Sequence, residues 1–191
     1  MASKRLDSIV HDYLKRLQFY EQFDTRRTTF YFAVRLLSHL TCSSAVPTSD
    51  DKTFELFEQN LYKISKAIHE DTVGKSAKVI LTQLTGLSET LDINETVLNY
   101  IKTWIQYRRG ESNRVSDETT VTSTTKTNDF LQAILDVLDE SSPRLDEDDL
   151  AACVLDVIMH GSEMLKGALS WLLLFVVKYP EEADRCRQEA Q

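Results

Sequence analysis

The last quarter of this chain constrains its fold more than any other stretch. Residues 145–179 contain no proline and carry apolar side chains at nearly every angle around a helix, from Ala151 through Val177. Asp146, Glu147, Asp148 and Asp149 stand at the start of this run, where negative charge complements the positive end of a helix dipole. Pro180 ends it, because proline has no N–H to donate to the preceding turn. A helix that is apolar all round belongs inside a core. The expectation is therefore one long buried helix over about 145–179, with the rest of the chain packed around it. Only five Gly and three Pro occur among 191 residues, too few for the many tight turns of an all-β fold. The fold class expected is all-α, with residues 1–191 forming a single helical domain.

Helical periodicity recurs upstream. Residues 4–20 place Leu6, Ile9, Val10, Tyr13, Leu14 and Leu17 at helical spacing. Asp24 or Thr25 is a candidate cap for a helix that runs to about Ser43 through Phe30, Val34, Leu37 and Leu40. Phe54 to Ile68 is amphipathic, and Lys75 to Leu84 is a short periodic segment. Asn94 opens a helix through Val97, Ile101, Trp104 and Ile105, with Gly110 as a left-handed stop behind the cations Arg108 and Arg109. Residues 111–128 are rich in Thr and Ser without apolar period and read as a flexible loop. Asp129 to Leu138 forms one more short helix, broken at Ser141-Ser142-Pro143.

The formal net charge of −8 argues against non-specific nucleic-acid binding. Cys42, Cys153 and Cys186 are odd in number and widely spaced, which points to free thiols in a reducing, intracellular compartment. Cys153, in an apolar helix, is expected to pack as a small hydrophobe. The N-terminus is amphipathic, so neither a secretory signal nor a membrane anchor is expected there, and the longest apolar run, Trp171 to Val177, is too short to span a bilayer. A soluble chain is expected. The four histidines are scattered, and no metal site is expected; His160 and Glu163, three apart, lack a second such pair, and a buried, satisfied imidazole is the plainer reading. Gly74-Lys75-Ser76 lacks the earlier glycine of a phosphate loop. Arg26-Arg27, Lys102 and Arg108-Arg109 read as solvated charge, with a basic face for a redox partner as the functional alternative.

The motif that carries chemistry lies midway along the long helix. His160-Gly161-Ser162-Glu163-Met164-Leu165 is followed by Trp171, seven residues after Met164, and then by Pro180-Glu181. This order resembles the oxygen-binding helix of the cytochrome P450 family, roughly [A/G]-G-x-[D/E]-T-[T/S] with a Trp seven residues after the Thr and a later Pro-Glu. The elements before it agree in order, from Thr25–Ser43 through 129–140. The resemblance implies the central helical block of that fold, from its fourth helix to the start of its tenth. It implies a haem cofactor, a lipophilic small-molecule substrate (a sterol, fatty acid or terpene) and electrons from a redox partner. It assigns Glu163 and Met164 to the catalytic positions, Met164 standing where the family has its Thr. It assigns His160 and Gly161 to cofactor binding, because a missing side chain lets a flat group approach the backbone. Phe54–Ile68 and Val97–Ile105 would cover the substrate channel.

Three substitutions depart from the family pattern. His160 replaces a small residue, Met164 replaces a hydroxyl donor with a thioether that has no proton to give, and Lys166 adds a charge on the next turn. Neither the family's E-x-x-R signature nor its F-x-x-G-x-R-x-C-x-G ligand loop is expected in this chain, and a thiolate is what pushes electron density onto the haem iron. The expectation is a chain inactive alone. The alternative is a non-catalytic helical binding or interaction module. An exposed apolar patch near Met159, Met164 and Leu165 is expected to favour self-association through the long helix.

Overall fold

The computed structural model describes residues 2–19, 24–43, 46, 52–72, 92–110, 129–140 and 146–189. Among these residues every regular element is helical. The helices are α1 (Ala2–Phe19), α2 (Thr25–Cys42), α3 (Lys52–Thr72), α4 (92–110), α5 (Phe130–Glu140), α6 (Glu147–Lys178) and α7 (Pro180–Glu189). The all-α expectation holds. The segment 75–84, the loop 111–128 and the break at 141–143 lie outside the described residues.

Local chemistry sets the helix ends. The Asp24 carboxylate caps α2 by accepting from Arg26 N at 3.0 Å and Arg27 N at 3.2 Å, satisfying donors that have no partner in the first turn. Asp129 caps α5 in the same way, accepting from Gln132 N at 2.8 Å. Asp146 caps α6. At the far end of α6, Tyr179 N still reaches Phe175 O at 2.8 Å. Pro180 then becomes the first residue of α7, a position whose N–H needs no partner. Residue 92 is already helical, so Asn94 lies within the first turns of α4, where Thr96 Oγ1 donates to Asp92 O at 2.8 Å. Gly110 is the last described helical residue of α4 and is not left-handed.

The core is built on α2, which packs against α1, α3, α5 and α6. Phe30 and Val34 of α2 meet Phe54, Phe57, Leu61 and Ile64 of α3, Ile101, Trp104 and Ile105 of α4, Leu131 and Leu135 of α5, and Leu150, Val154 and Ile158 of α6. Phe54, Phe57, Tyr100 and Trp104 form an aromatic cluster between α3 and α4, with ring centroids 5.1–6.2 Å apart. Two buried ion pairs join the helices. Arg35 of α2 forks onto Glu58 of α3 at 2.7 and 3.0 Å, and its guanidinium lies 5.5 Å from the Phe54 ring centre. Burial opposes the Arg35 charge, but the Glu58 carboxylate more than restores it, so the pKa is raised. Arg108 of α4 donates to Asp129 and, at 2.8 Å, to the Cys42 carbonyl. It thereby ties the end of α2, the end of α4 and the start of α5 together.

The long helix forms, but its burial differs from the expectation. Its buried residues are Leu150, Ala151, Val154, Ile158, Met159 and Ser162. Beyond Lys166 the helix shows Trp171, Leu172, Leu174, Phe175, Val176 and Val177 to solvent. An apolar circumference records that every face can be covered; it does not say which faces this chain itself covers. Cys153 is likewise exposed rather than packed inside.

Candidate functional site

Residues recur every 3.6 positions around a helix, so the six residues 160–165 of α6 point to different neighbours. His160 and Met164 project from one side in line with Cys153, Val157, Trp171 and Phe175, all exposed. This line forms an apolar stripe about 33 Å long. Met164 is its most open member near the motif, at 78% exposure. His160 is exposed, which corrects the reading of a buried imidazole; its Nδ1 lies 3.0 Å from the Asp156 carbonyl. The carbonyl can only accept, so Nδ1 is the donor in that contact.

Glu163 faces the other way, into the angle between α2 and α3. Its Oε1 accepts from the Ser65 hydroxyl of α3 and its Oε2 from Lys166 one turn on. The Lys166 ammonium also sits 5.6 Å from the Phe30 ring centre. A neighbouring contact joins Thr29 and Ser170 at 3.2 Å between their hydroxyl oxygens. The carboxylate is thus held in a polar seam between helices, turned away from the Met164 stripe. Gly161 occupies the flank toward α2. A Cβ built there would lie 2.7 Å from Leu37 Cδ1, so Leu37 fills the space that the missing side chain leaves. α6 runs as unbroken α-helix through these positions. Ser162 is fully buried and its hydroxyl has no hydrogen-bond partner among the described residues.

The lysine three residues after Glu163 was a visible signal for the Glu163–Lys166 pair. Ser65 carried no such signal, because its sequence separation of 98 hides the contact. The suggested basic face is not formed as a unit: Arg108 is buried and Lys102 pairs with Asp148 of α6, while Arg26 and Arg109 remain exposed. The expected exposed patch is shifted too, since Met159 is buried and Leu165 half-buried. Letters spaced E-x-x-R do occur, contrary to expectation, at Glu111 and Arg114, outside the described residues, and in α7 at Glu182 and Arg185. The latter two pair at 3.0 Å with both side chains mostly exposed, as a surface turn-to-turn contact. A concave feature lies between α3 and α4, an open cleft of about 230 Å³ floored by Phe57, Val97 and Tyr100 and rimmed by Thr53, Asn60, Thr96, Asn99 and Thr103.

Val157, His160 and Met164 leave the α6 stripe open enough for a flat apolar group such as haem to lie against it. The described cysteines do not fit the thiolate ligand. Burial pushes the Cys42 thiol up to about 12, the Asp129 charge adds to this and Arg108 opposes it, so the thiol keeps its proton. Cys153 and Cys186 sit inside α6 and α7, where neighbouring amides are used by the helix and none is free to hold a thiolate. Among the described residues no group of three or more His, Cys, Asp or Glu could hold a metal ion. None of the described helices is long and apolar enough to cross a membrane.

No solved structure matches the chain. Curated proteins do. Human cytochrome P450 4F2 is 35% identical over 89 residues, covering 46% of this chain and 17% of the relative. The human ultra-long-chain fatty acid omega-hydroxylase is 33% identical over 66 residues, covering 35% and 12%. Mouse leukotriene-B4 omega-hydroxylase 3 is 35% identical over 66 residues, covering 35% and 13%. The matched stretches therefore span less than a fifth of these relatives. The family model for cytochrome P450 matches residues 3–191. With that match running nearly end to end across the helices built around α2 and α6, the chain belongs to the cytochrome P450 family.

Proposed function

We propose that this chain is the part of a haem-dependent oxidoreductase that lies over one face of the haem and beside a lipophilic, fatty-acid-like substrate, and that it does not oxidise that substrate alone. The observation that carries the reading is the α6 stripe, in which Val157, His160 and Met164 present one continuous exposed face while the acid of the motif turns away. The names of the omega-hydroxylase relatives support a long-chain substrate. Haem, when bound, would supply the redox chemistry. His160 and Met164 would lie against it, and the Met164 thioether has no proton to donate there. Glu163, shared between Ser65 and Lys166, serves the α2–α3–α6 junction. Electrons for the complete enzyme come from a redox partner.

Haem titration of the purified chain, followed by reduction under carbon monoxide, tests this. The expected result is binding without the red-shifted Soret band of thiolate ligation. Appearance of that band, or loss of all haem response with the stripe intact, overturns the reading.

A second reading is a non-catalytic binding module, favoured by the open α3–α4 cleft with its aromatic floor and hydroxyl rim. Saturable fatty-acid binding that persists in Met164→Glu and disappears in Val97→Trp supports that reading. Binding lost in Met164→Glu refutes it.

A further inference from the structure

His160 is the one residue of the α6 stripe whose side chain offers a basic nitrogen, since the Trp171 indole N–H only donates. Its two ring nitrogens are not equivalent. Nδ1 donates to the Asp156 carbonyl one turn back, at 3.0 Å. In a neutral imidazole the nitrogen that does not donate keeps its lone pair, so the basic atom is Nε2. Metal-binding histidines share this arrangement: a carbonyl holds one ring N–H, which fixes the tautomer and the ring and leaves the other nitrogen to the metal. A bare ion needs more donors than one, and among the described residues no group of three or more His, Cys, Asp or Glu could hold it. Haem iron needs less, because its macrocycle already fills the equatorial positions and leaves only the axial ones to the protein.

We propose that His160 is an axial ligand of haem iron, through Nε2, on the face that α6 covers. The inference rests on the haem reading of the stripe and adds the atom that meets the iron. Coordination moves no proton and no electron: the neutral ring shares its Nε2 pair with the iron and keeps the Nδ1 hydrogen on Asp156. Met164 is the rival, because a thioether also ligates haem. It stands four residues on, about 6 Å along the same side of the helix, so the two cannot share one axial position. Asp156 already holds the imidazole, whereas Met164 is 78% exposed and has the rotamer freedom of an unbranched chain to lose. His11 on α1 and His39 on α2 lie off the stripe. A histidine at this place closes the position where a small molecule would otherwise meet the iron from this side.

Resonance Raman of the full chain with ferrous haem tests this, because the iron–imidazole stretch appears only when a histidine is bound. The band is expected in the parent chain, in Met164→Leu, and in the single variants His11→Ala, His39→Gln and His69→Ala. It should vanish in His160→Ala, whose apparent dissociation constant for haem should rise by about tenfold or more, as loss of an orienting group alone does in other metal sites. His160 is exposed and alanine is a good helix former, so this variant keeps its far-UV circular dichroism. A band that survives His160→Ala overturns the proposal, and so does a parent complex that holds haem without the band; in both cases the haem reading stands. A chain that takes up no haem overturns the haem reading and the ligand with it.

Discussion

Asp129 is the residue whose removal should damage this fold most for its size. It does two jobs with two oxygens: one pairs with Arg108 and the other caps α5 at Gln132 N. Both partners of the ion pair have side chains no more than 3% exposed. At an effective dielectric near 20, two charges about 3.5 Å apart interact by roughly 5 kcal/mol. Removing one partner of a buried pair typically costs about 3–5 kcal/mol, since the other charge keeps its desolvation penalty. Asp129→Asn keeps an acceptor for the cap but loses the charge, so a cost of about 3 kcal/mol is expected. Asp129→Ala loses the cap too, adding about 1 kcal/mol. Arg108→Met should cost about 3 kcal/mol by the same argument. The double variant Arg108→Met/Asp129→Asn should cost about 2 kcal/mol less than the sum, because it leaves no lone charge behind. Urea unfolding followed by far-UV circular dichroism reads all four. If Asp129→Asn costs under about 1 kcal/mol, or if the double variant is simply additive, the junction of α2, α4 and α5 is not held by this pair.

Three further outcomes follow from other positions. Burial keeps the Cys42 thiol protonated to about 12 against an ordinary value of 9.0. Between those pH values the unfolded chain releases a proton that the folded chain retains, so stability falls as pH rises, by up to about 1.4 kcal/mol per pH unit; Cys42→Ala should lack that part of the slope in paired unfolding curves. A maleimide should modify Cys153 and Cys186 but not Cys42 in the native chain, and fast labelling of three thiols contradicts the placement. Gly161→Ala should change stability by less than about 1 kcal/mol, since the gain in helix propensity offsets the shift of a half-buried Leu37 tip. Gly161→Val should cost about 2–3 kcal/mol through overpacking, and thermal unfolding with a Leu37→Ala partner variant, which should relieve it, checks the contact.

Much of the architecture was legible from spacing alone, because helix signals are local. Asp24 before an apolar-periodic run, the acids at 146–149 and Pro180 each mark a boundary through groups within four residues of it. The candidate site was legible as letters but not as geometry. Gly161, Glu163, Trp171 and Pro180 identify the motif, yet where Glu163 turns depends on Ser65, and what Gly161 admits depends on Leu37. Arg108 shows the same limit from the other side. Beside Arg109 at a helix end it reads as solvated charge, and only the fold brings Asp129 and the Cys42 carbonyl to it.

Residues 147–178 also show why an apolar circumference is weaker evidence for burial than it looks. The helix has two unlike parts along one unbroken backbone. Up to Ser162 its inner face meets α2 and α3, and past Lys166 most of its large side chains are open. The energetic asymmetry is large, since burying a Trp or Phe side chain contributes about 2–3 kcal/mol, and Trp171 and Phe175 gain little of that here. The contrast with α7 is plain, since there Glu181, Glu182, Arg185 and Arg187 dominate. From Val157 to Phe175 the stripe carries no carboxylate and no ammonium, and the exposed Asp156 lies just beside its start. A face kept apolar over about 33 Å of helix, from Cys153 to Phe175, has the composition of a covered surface, and the circumference alone does not name what covers it.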